Sequence, residues 1–336
     1  MKQPFVIAEI GVNHNGSIEQ AKKLILGAKD AGANAVKFQT FDLEELLSDK
    51  AVTSNYQIKN LGEPKSQSEI LQNYILSNDD YIELIDFCDN IQIEFLSTPF
   101  GLKSAEFLKN LGLGKVKISS GDLTNFPLIR LASTLFPEVI LSTGMATMQE
   151  VREAVDNIFD GCTYSLLHCV SSYPAPIDQC NLRVIADMRN EFQCNVGWSD
   201  HTIGNLSSIL ALSQGAVIFE KHITINKNDE GPDHSSSMEL SEFKEYVNVL
   251  KTALLCLGSK TKSAQPCELE AKANARRSLA FNKDLLAGHM LRATDLTLLR
   301  PGTGLPYSNL EKLVGRYLQK DVKSNQLIEF SHLKVI

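Results

Sequence analysis

The sequence predicts an α/β chain: a closed (β/α)8 barrel of the TIM type over residues 1–258, a linker over 259–275 and a small domain over 276–336. Three observations lead there. Up to about residue 258, eight short apolar or β-branched runs alternate with longer segments of helical period, which is the pattern of parallel strands and crossover helices. Residues 259–275 are polar and punctuated like a linker. The last 60 or so residues hold short strand-like pieces broken by Gly and Pro, about as small as a folded unit can be.

The strands are expected at "FVIAEIG" (5–11), "AVKFQTF" (35–41), "EFLSTPF" (94–100), "KVKISSG" (115–121), "EVILSTG" (138–144), "YSLLHCV" (164–170), "CNVGWSDH" (194–201) and "AVIFEKHI" (216–223). Between them "IEQAKKLILGAKDAG", "KSAEFLKNLG", "MQEVREAVDNIFD" and "LRVIADMRNEF" are each apolar along one face, and "SEFKEYVNVLKTALLCLG" follows the last strand. Eight βα units of this length favour closure, with an open doubly wound sheet as the alternative. The 42–80 connection is too long and polar for an ordinary βα loop; it is either a cover for the barrel mouth or a surface insertion. The terminal 60 residues have little core of their own and are expected to dock on a barrel, their own or a neighbour's.

Composition narrows the function. Hydrophobic residues are 43% and charged residues 22%, with no apolar run long enough to cross a bilayer. The N-terminal residues lack the basic and apolar regions of a signal peptide, so the chain is expected in the cytoplasm. Seven cysteines without a CxxC pair point to reduced, mostly packed thiols. A net charge of −7 argues against a nucleic-acid partner.

In a βα barrel the chemistry sits at the C-terminal strand ends, where alternate residues face the interior. Taking the register from the polar residue near each end gives Glu9, Lys37 with Gln39, Thr98, Lys117, His168, Ser199 with His201, and Glu220 with His222. Singly, each has an ordinary explanation: a strand lysine commonly reaches solvent, and a core histidine commonly bonds backbone. Together they do not, because unpaired buried charge costs several kcal/mol. Lys37 and Lys117 with Thr98 would cradle a phosphate and a carboxylate. His201 and His222, ending neighbouring strands, would share a divalent ion with open positions, Mn²⁺ or Mg²⁺. His14 in "GVNHNGS" could simply hold a turn, and "SSGD" and "LSTGMAT" could bind an anion or cap helices, as Thr147 would.

"IAEIGVNHNGS", "AVKFQTF", "FLSTPF", "KISSGDLTNFPLI", "ILSTGMAT", "LLHCVSSYPAP", "GWSDHT", "FEKHIT" and "GPDHSSSM" occur in order along the chain. In these motifs the sequence resembles the bacterial sialic acid synthase family, which includes N-acetylneuraminate and legionaminate synthases. The final region, with "RRSLAF" and "LLRPGTG", resembles that family's antifreeze-like (SAF) domain. The resemblance implies metal-dependent condensation of phosphoenolpyruvate with an open-chain N-acetylmannosamine-type sugar, releasing phosphate. It implies that His201 and His222 hold the metal, and that Lys37, Thr98, Lys117, Ser120, Ser171 and Ser199 hold phosphoenolpyruvate. Glu9, Gln39, Tyr173 and Asp233 would line the sugar and reaction region, and Asp122 would direct the attacking water. The small domain would cross to the other subunit of a homodimer, bringing Arg300 to the partner's sugar. Two departures stand out: Ser171 replaces an asparagine found in some members, and Asp122 replaces the commoner Glu. The expected sugar is N-acetylmannosamine, with 2,4-diacetamido-2,4,6-trideoxymannose as the alternative. A Schiff-base lysine aldolase using Lys37 or Lys117, and a sugar-binding protein without turnover, are the rival readings.

Overall fold

The computed structural model describes residues 3–48 and 66–334, so positions 49–65 of the long connection lie outside the described residues. Strands β1 (Phe5–Gly11), β2 (Ala35–Thr40), β3 (Glu94–Pro99), β4 (Lys115–Ile118), β5 (Glu138–Ser142), β6 (Thr163–Cys169), β7 (Asn195–Asp200) and β8 (Ile218–Thr224) run in the order β3-β2-β1-β8-β7-β6-β5-β4, with every ladder parallel. β3 and β4 lie side by side and bring the sheet round on itself, although among the described residues no registered ladder joins them. The barrel therefore prevails over the open sheet. A two-residue strand, β9 (Met238–Glu239), adds to the end of β8.

Parity sorts the strand residues into two layers. Ile7, Ala35, Leu96, Ile140, Leu167 and Ile218 pack together as a small cluster filling the interior. Their neighbours of opposite parity, among them Val6, Val36, Val116, Trp198 and Phe219, join the larger core formed with the helices. Gly197 belongs to the interior set. A Cβ there would stand 2.3 Å from the Ile218 carbonyl oxygen, a backbone atom that cannot swing away. Gly197→Ala is expected to destabilise the barrel by about 3 kcal/mol, read from urea unfolding; a midpoint equal to wild type would contradict this packing.

The helices follow from their sequences. Residues 18–31 bury Ala21, Leu24, Ile25 and Ala28, start at the N-cap Ser17 and stop at Gly32, whose φ of 88° is left-handed. Thr147 is a helix cap, its side chain and Glu150 forming a reciprocal capping box. Within the long connection, Ile70 and Tyr74 pack against Val12 just beyond β1. The described flanks of that insertion thus sit at the C-terminal end of the barrel.

The chain divides into two units, 1–258 and 259–336. The polar stretch after residue 258 is partly helical, with a 3-10 turn at Pro266–Glu268 and a helix at Leu269–Ala275. In the second unit β10 (Ser278–Phe281) pairs antiparallel with β11 (Leu296–Leu299) over a core of Leu279, Phe281, Leu285, Leu291, Leu313, Leu318, Val322, Ile328 and Leu333. Among the described residues no helix is long and apolar enough to cross a membrane.

Candidate active site

Two residues beyond the apolar interior layer, the same parity turns polar. Ile7 is followed by Glu9, Ala35 by Lys37, Leu96 by Thr98, Ile140 by Ser142, Leu167 by Cys169, and Ile218 by Glu220. These side chains form the floor of a cavity of about 500 Å3. Lys117, Ser120, Ser171, Tyr173, Ser199, His201, His222, Gln39 and Asp233 also line it, as do Leu46, Gln67 and Leu71 from the long connection. β1 bulges between Glu9 and Gly11, and Gly11 adopts φ +56°. A Cβ on Gly11 would meet Glu9, Gln39 and His222 within 3.2 to 3.7 Å, so glycine is what lets those three groups approach.

One wall is a chain of alternating charge. Lys37 Nζ lies 2.9 Å from Glu220 Oε2 and 3.3 Å from Glu9 Oε2, and Lys117 Nζ lies 3.8 Å from Glu220 Oε1. Ser199 Oγ donates to Glu220 Oε1 at 2.8 Å. Burial opposes ionisation of Glu220, yet the two ammonium groups and these hydrogen bonds outweigh it and hold the carboxyl well below its ordinary range. Burial also opposes the charge on Lys37, but Glu220 and Glu9 more than compensate and raise it. Burial lowers Lys117 to about 8, its proximity to Lys37 working against the pull of Glu220. Burial, helped by Glu220 and opposed by Lys37, pushes Glu9 up to about 7.

That value has a consequence for stability. An unfolded glutamate loses its proton near pH 4.5 whereas folded Glu9 keeps it to about 7. Between those values the folded state binds the extra proton, so this residue's contribution to stability falls as pH rises through the interval and levels off above it. Glu9→Gln, permanently neutral, is expected to remove that decline. Urea titrations at about pH 5 and about pH 7.5 measure it; equal changes in wild type and variant would refute the protonated Glu9.

The same cavity holds the imidazoles of His201 and His222, ring centres 5.6 Å apart, with the Tyr173 ring 4.0 Å from His201 and 5.7 Å from His222; His222 is the cross-strand partner of Glu9. His201 Nδ1 donates to the Val170 carbonyl at 2.8 Å, and Cys169 Sγ lies 3.7 Å from the same nitrogen. A carbonyl only accepts, so Nδ1 carries a proton; burial opposes a second one, but Cys169 and the Val170 carbonyl outweigh it and raise the pKa of His201, so a cation at Nε2 would displace a proton there. Burial, reinforced by His201 and Lys37, keeps His222 neutral well below its ordinary pKa, and its buried Nδ1 has no hydrogen-bond partner. A neutral ring with an orphaned nitrogen beside a ring with a fixed tautomer is a donor set that fits a divalent cation. Among the described residues no group of three or more His, Cys, Asp or Glu could hold a metal ion, so a cation here would take two protein nitrogens and fill its remaining positions from solvent and substrate.

Two expected placements differ, those of His168 and Asp122, while His14 holds a turn as its sequence allows. His168 faces the helices: its Nε2 donates to the Cys180 carbonyl at 2.7 Å and its ring lies 5.2 Å from Trp198, so Cys169 is the residue of β6 that reaches the cavity. Asp122 does not line the cavity. It ends a 3-10 turn (Ser120–Asp122), and its oxygens accept from Ser119 Oγ at 2.7 Å and Asn125 Nδ2 at 3.1 Å. The same turn ends β4 early and lets Ser120 and Lys117 face one space. His14 is a turn residue, buried, accepting from Gly16 N at 3.1 Å and lowered to about 4 by burial. Arg300 is exposed on the second unit, next after β11. Sequence reasoning placed Glu220 inside but gave it no task; the signal was its position two residues before His222 with a lysine on each of two other strands to neutralise.

Residues 24–262 match the NeuB family and residues 276–334 the SAF domain. The N,N'-diacetyllegionaminic acid synthase of Legionella pneumophila is 40% identical over 336 residues, covering 98% of this chain and 94% of that protein. The synthase of the same name from Campylobacter jejuni is 38% identical, with 98% and 99% covered. The crystal structure of N-acetylneuraminic acid synthetase from Leptospira borgpetersenii, in complex with citrate, matches with a TM-score of 0.70 at 31% identity over 80% of this chain and 90% of that one. With both its regions matched in order, the chain belongs to the NeuB family, that of the sialic acid synthases, and carries a SAF domain behind its barrel.

Proposed function

We propose that this enzyme condenses phosphoenolpyruvate with an open-chain N-acylated mannosamine-type sugar and water, giving a sialic acid and phosphate. The observation that carries the reading is one cavity lined by both an ammonium pair, Lys37 and Lys117, and an imidazole pair, His201 and His222. The relatives named for N,N'-diacetyllegionaminic acid are 38 to 40% identical and the solved N-acetylneuraminic acid synthetase 31%, which supports 2,4-diacetamido-2,4,6-trideoxymannose ahead of N-acetylmannosamine as the sugar. The seven free cysteines suit a reducing cytoplasm.

In this reading Lys37 and Lys117 neutralise the phosphate and carboxylate, with the hydroxyls of Thr98, Ser120, Ser171 and Ser199 completing the cradle. Gln39, Tyr173 and Asp233 orient the sugar, and Arg300 reaches it from a second copy in a domain-swapped homodimer. His201 and His222 would hold Mn²⁺ or Mg²⁺, which when bound supplies Lewis acidity toward the sugar's carbonyl oxygen. The methylene carbon of phosphoenolpyruvate bonds to the aldehyde carbon, whose oxygen takes up a proton; water, losing a proton, adds to the neighbouring carbon that bears the phosphate, and that carbon's bond to the bridging oxygen breaks to release phosphate. Glu9, holding a proton to about pH 7, is placed to exchange it in these steps. It takes the part expected of Asp122, whose carboxylate is occupied in its turn.

The test is phosphate release from phosphoenolpyruvate, required to depend on the sugar and on metal, with ¹⁸O from water recovered in the sugar acid and not in phosphate. Label in phosphate would overturn the bond assignment. A Schiff-base aldolase remains a second reading because Lys117 is lowered to about 8, within reach of a free amine. Borohydride trapping of a pyruvate adduct on Lys117 would establish it; on the condensing reading nothing is trapped.

A further inference from the structure

β7 and β8 carry a second charged pair on the faces turned away from the cavity. Asp200 and Lys221 are cross-strand partners in the ladder, and both are buried. Lys221 Nζ lies 3.2 Å from Asp200 Oδ2, donates to the Thr202 carbonyl and stands 6.0 Å from the centre of the Tyr246 ring. The carboxylate is fully used. Oδ1 accepts from the Thr202 amide and from Thr202 Oγ1, both at 2.8 Å, and Oδ2 accepts from Ser207 Oγ at 3.0 Å and Ser208 Oγ at 2.7 Å. Ser208 Oγ in turn lies 2.8 Å from the Tyr246 hydroxyl.

A buried ion pair is a poor device for stability, since a well-packed apolar pair of similar volume serves as well or better. Its position supplies another reason for it. Residues 200 and 202 flank His201, and residue 221 precedes His222, so one network clamps the backbone at the two points from which the facing imidazoles spring. We propose that Asp200 and Lys221 form a positioning pair that fixes the 5.6 Å spacing of the His201 and His222 rings and thereby sets the cavity's affinity for a divalent cation. The inference rests on the metal reading above. The pair touches neither substrate nor cation; it acts through the histidines, as groups behind metal ligands do.

The experiment uses the full-length chain, its Asp200→Asn and Lys221→Met variants and the double variant. Mn²⁺ binding is followed by the electron paramagnetic resonance of free Mn²⁺, and inorganic phosphate binding, a probe of the Lys37 and Lys117 wall, by calorimetry. Each single variant is expected to weaken Mn²⁺ binding by about 10- to 100-fold while phosphate affinity stays at the wild-type value. The double variant should regain thermal stability without regaining Mn²⁺ affinity. Unchanged Mn²⁺ affinity in the single variants, a parallel fall in both affinities, or recovery of Mn²⁺ binding in the double variant would each overturn the positioning role. A wild-type protein that binds phosphate but no Mn²⁺ would overturn the metal reading itself, and this inference with it.

Discussion

Replacing His201 by alanine is expected to lower metal-dependent turnover by about 10³-fold or more, equivalent to about 4 kcal/mol of transition-state stabilisation. The ring is held by one hydrogen bond to Val170 and by its contacts with Tyr173 and Cys169 at the rim of a cavity, so its loss leaves the apolar interior layer intact. Thermal unfolding should stay near the wild-type midpoint, and phosphate affinity at Lys37 and Lys117 should be unchanged. Turnover at the wild-type rate with saturating Mn²⁺ would remove His201 from the site. His222→Ala is the matched control, since the reading gives the two rings one task.

Lys37→Met is the second large effect, and it separates structure from binding. Glu220 would lose its nearest cation, 2.9 Å away, and Glu9 its own at 3.3 Å. Glu220 would keep only Lys117 at 3.8 Å and the Ser199 hydroxyl, and removing one partner of a buried charge pair costs about 3–5 kcal/mol, so the variant should unfold at markedly lower urea. The affinity for phosphoenolpyruvate should fall about 100-fold, the equivalent of about 2.7 kcal/mol for one charge-assisted contact. Adding Glu220→Gln removes the stranded charge. Lys37→Met with Glu220→Gln should therefore recover most of the stability and none of the affinity. Recovery of both would make Lys37 a structural partner of Glu220 and nothing more.

The strands were legible because two-sided burial writes them as β-branched runs, and every one begins and ends within three residues of its expected bounds. Parity read the interior correctly at Glu9, Lys37, Lys117, Ser199, His201 and Glu220, all of which line the cavity. It failed on β6. There the polar residue His168 is satisfied by a backbone carbonyl among the helices while the less polar Cys169 faces the interior. Asp122 was named by the resemblance alone: strand parity stops where β4 gives way to a 3-10 turn, and the turn's own hydrogen bonds decide the carboxylate's direction. Asp200 and Lys221 were invisible for a related reason. Charges on a helix-facing strand surface break the expected apolar pattern, and only the cross-strand register shows that they neutralise each other.

The most direct test of the shared-cation site is anomalous diffraction at the manganese edge from crystals grown with Mn²⁺ and phosphoenolpyruvate. One peak is expected in the barrel cavity, bonded to a ring nitrogen of both His201 and His222, with the phosphate on the Lys37 and Lys117 side. A cavity holding the phosphate but no manganese between the two rings, or manganese bound elsewhere on the chain, would contradict it.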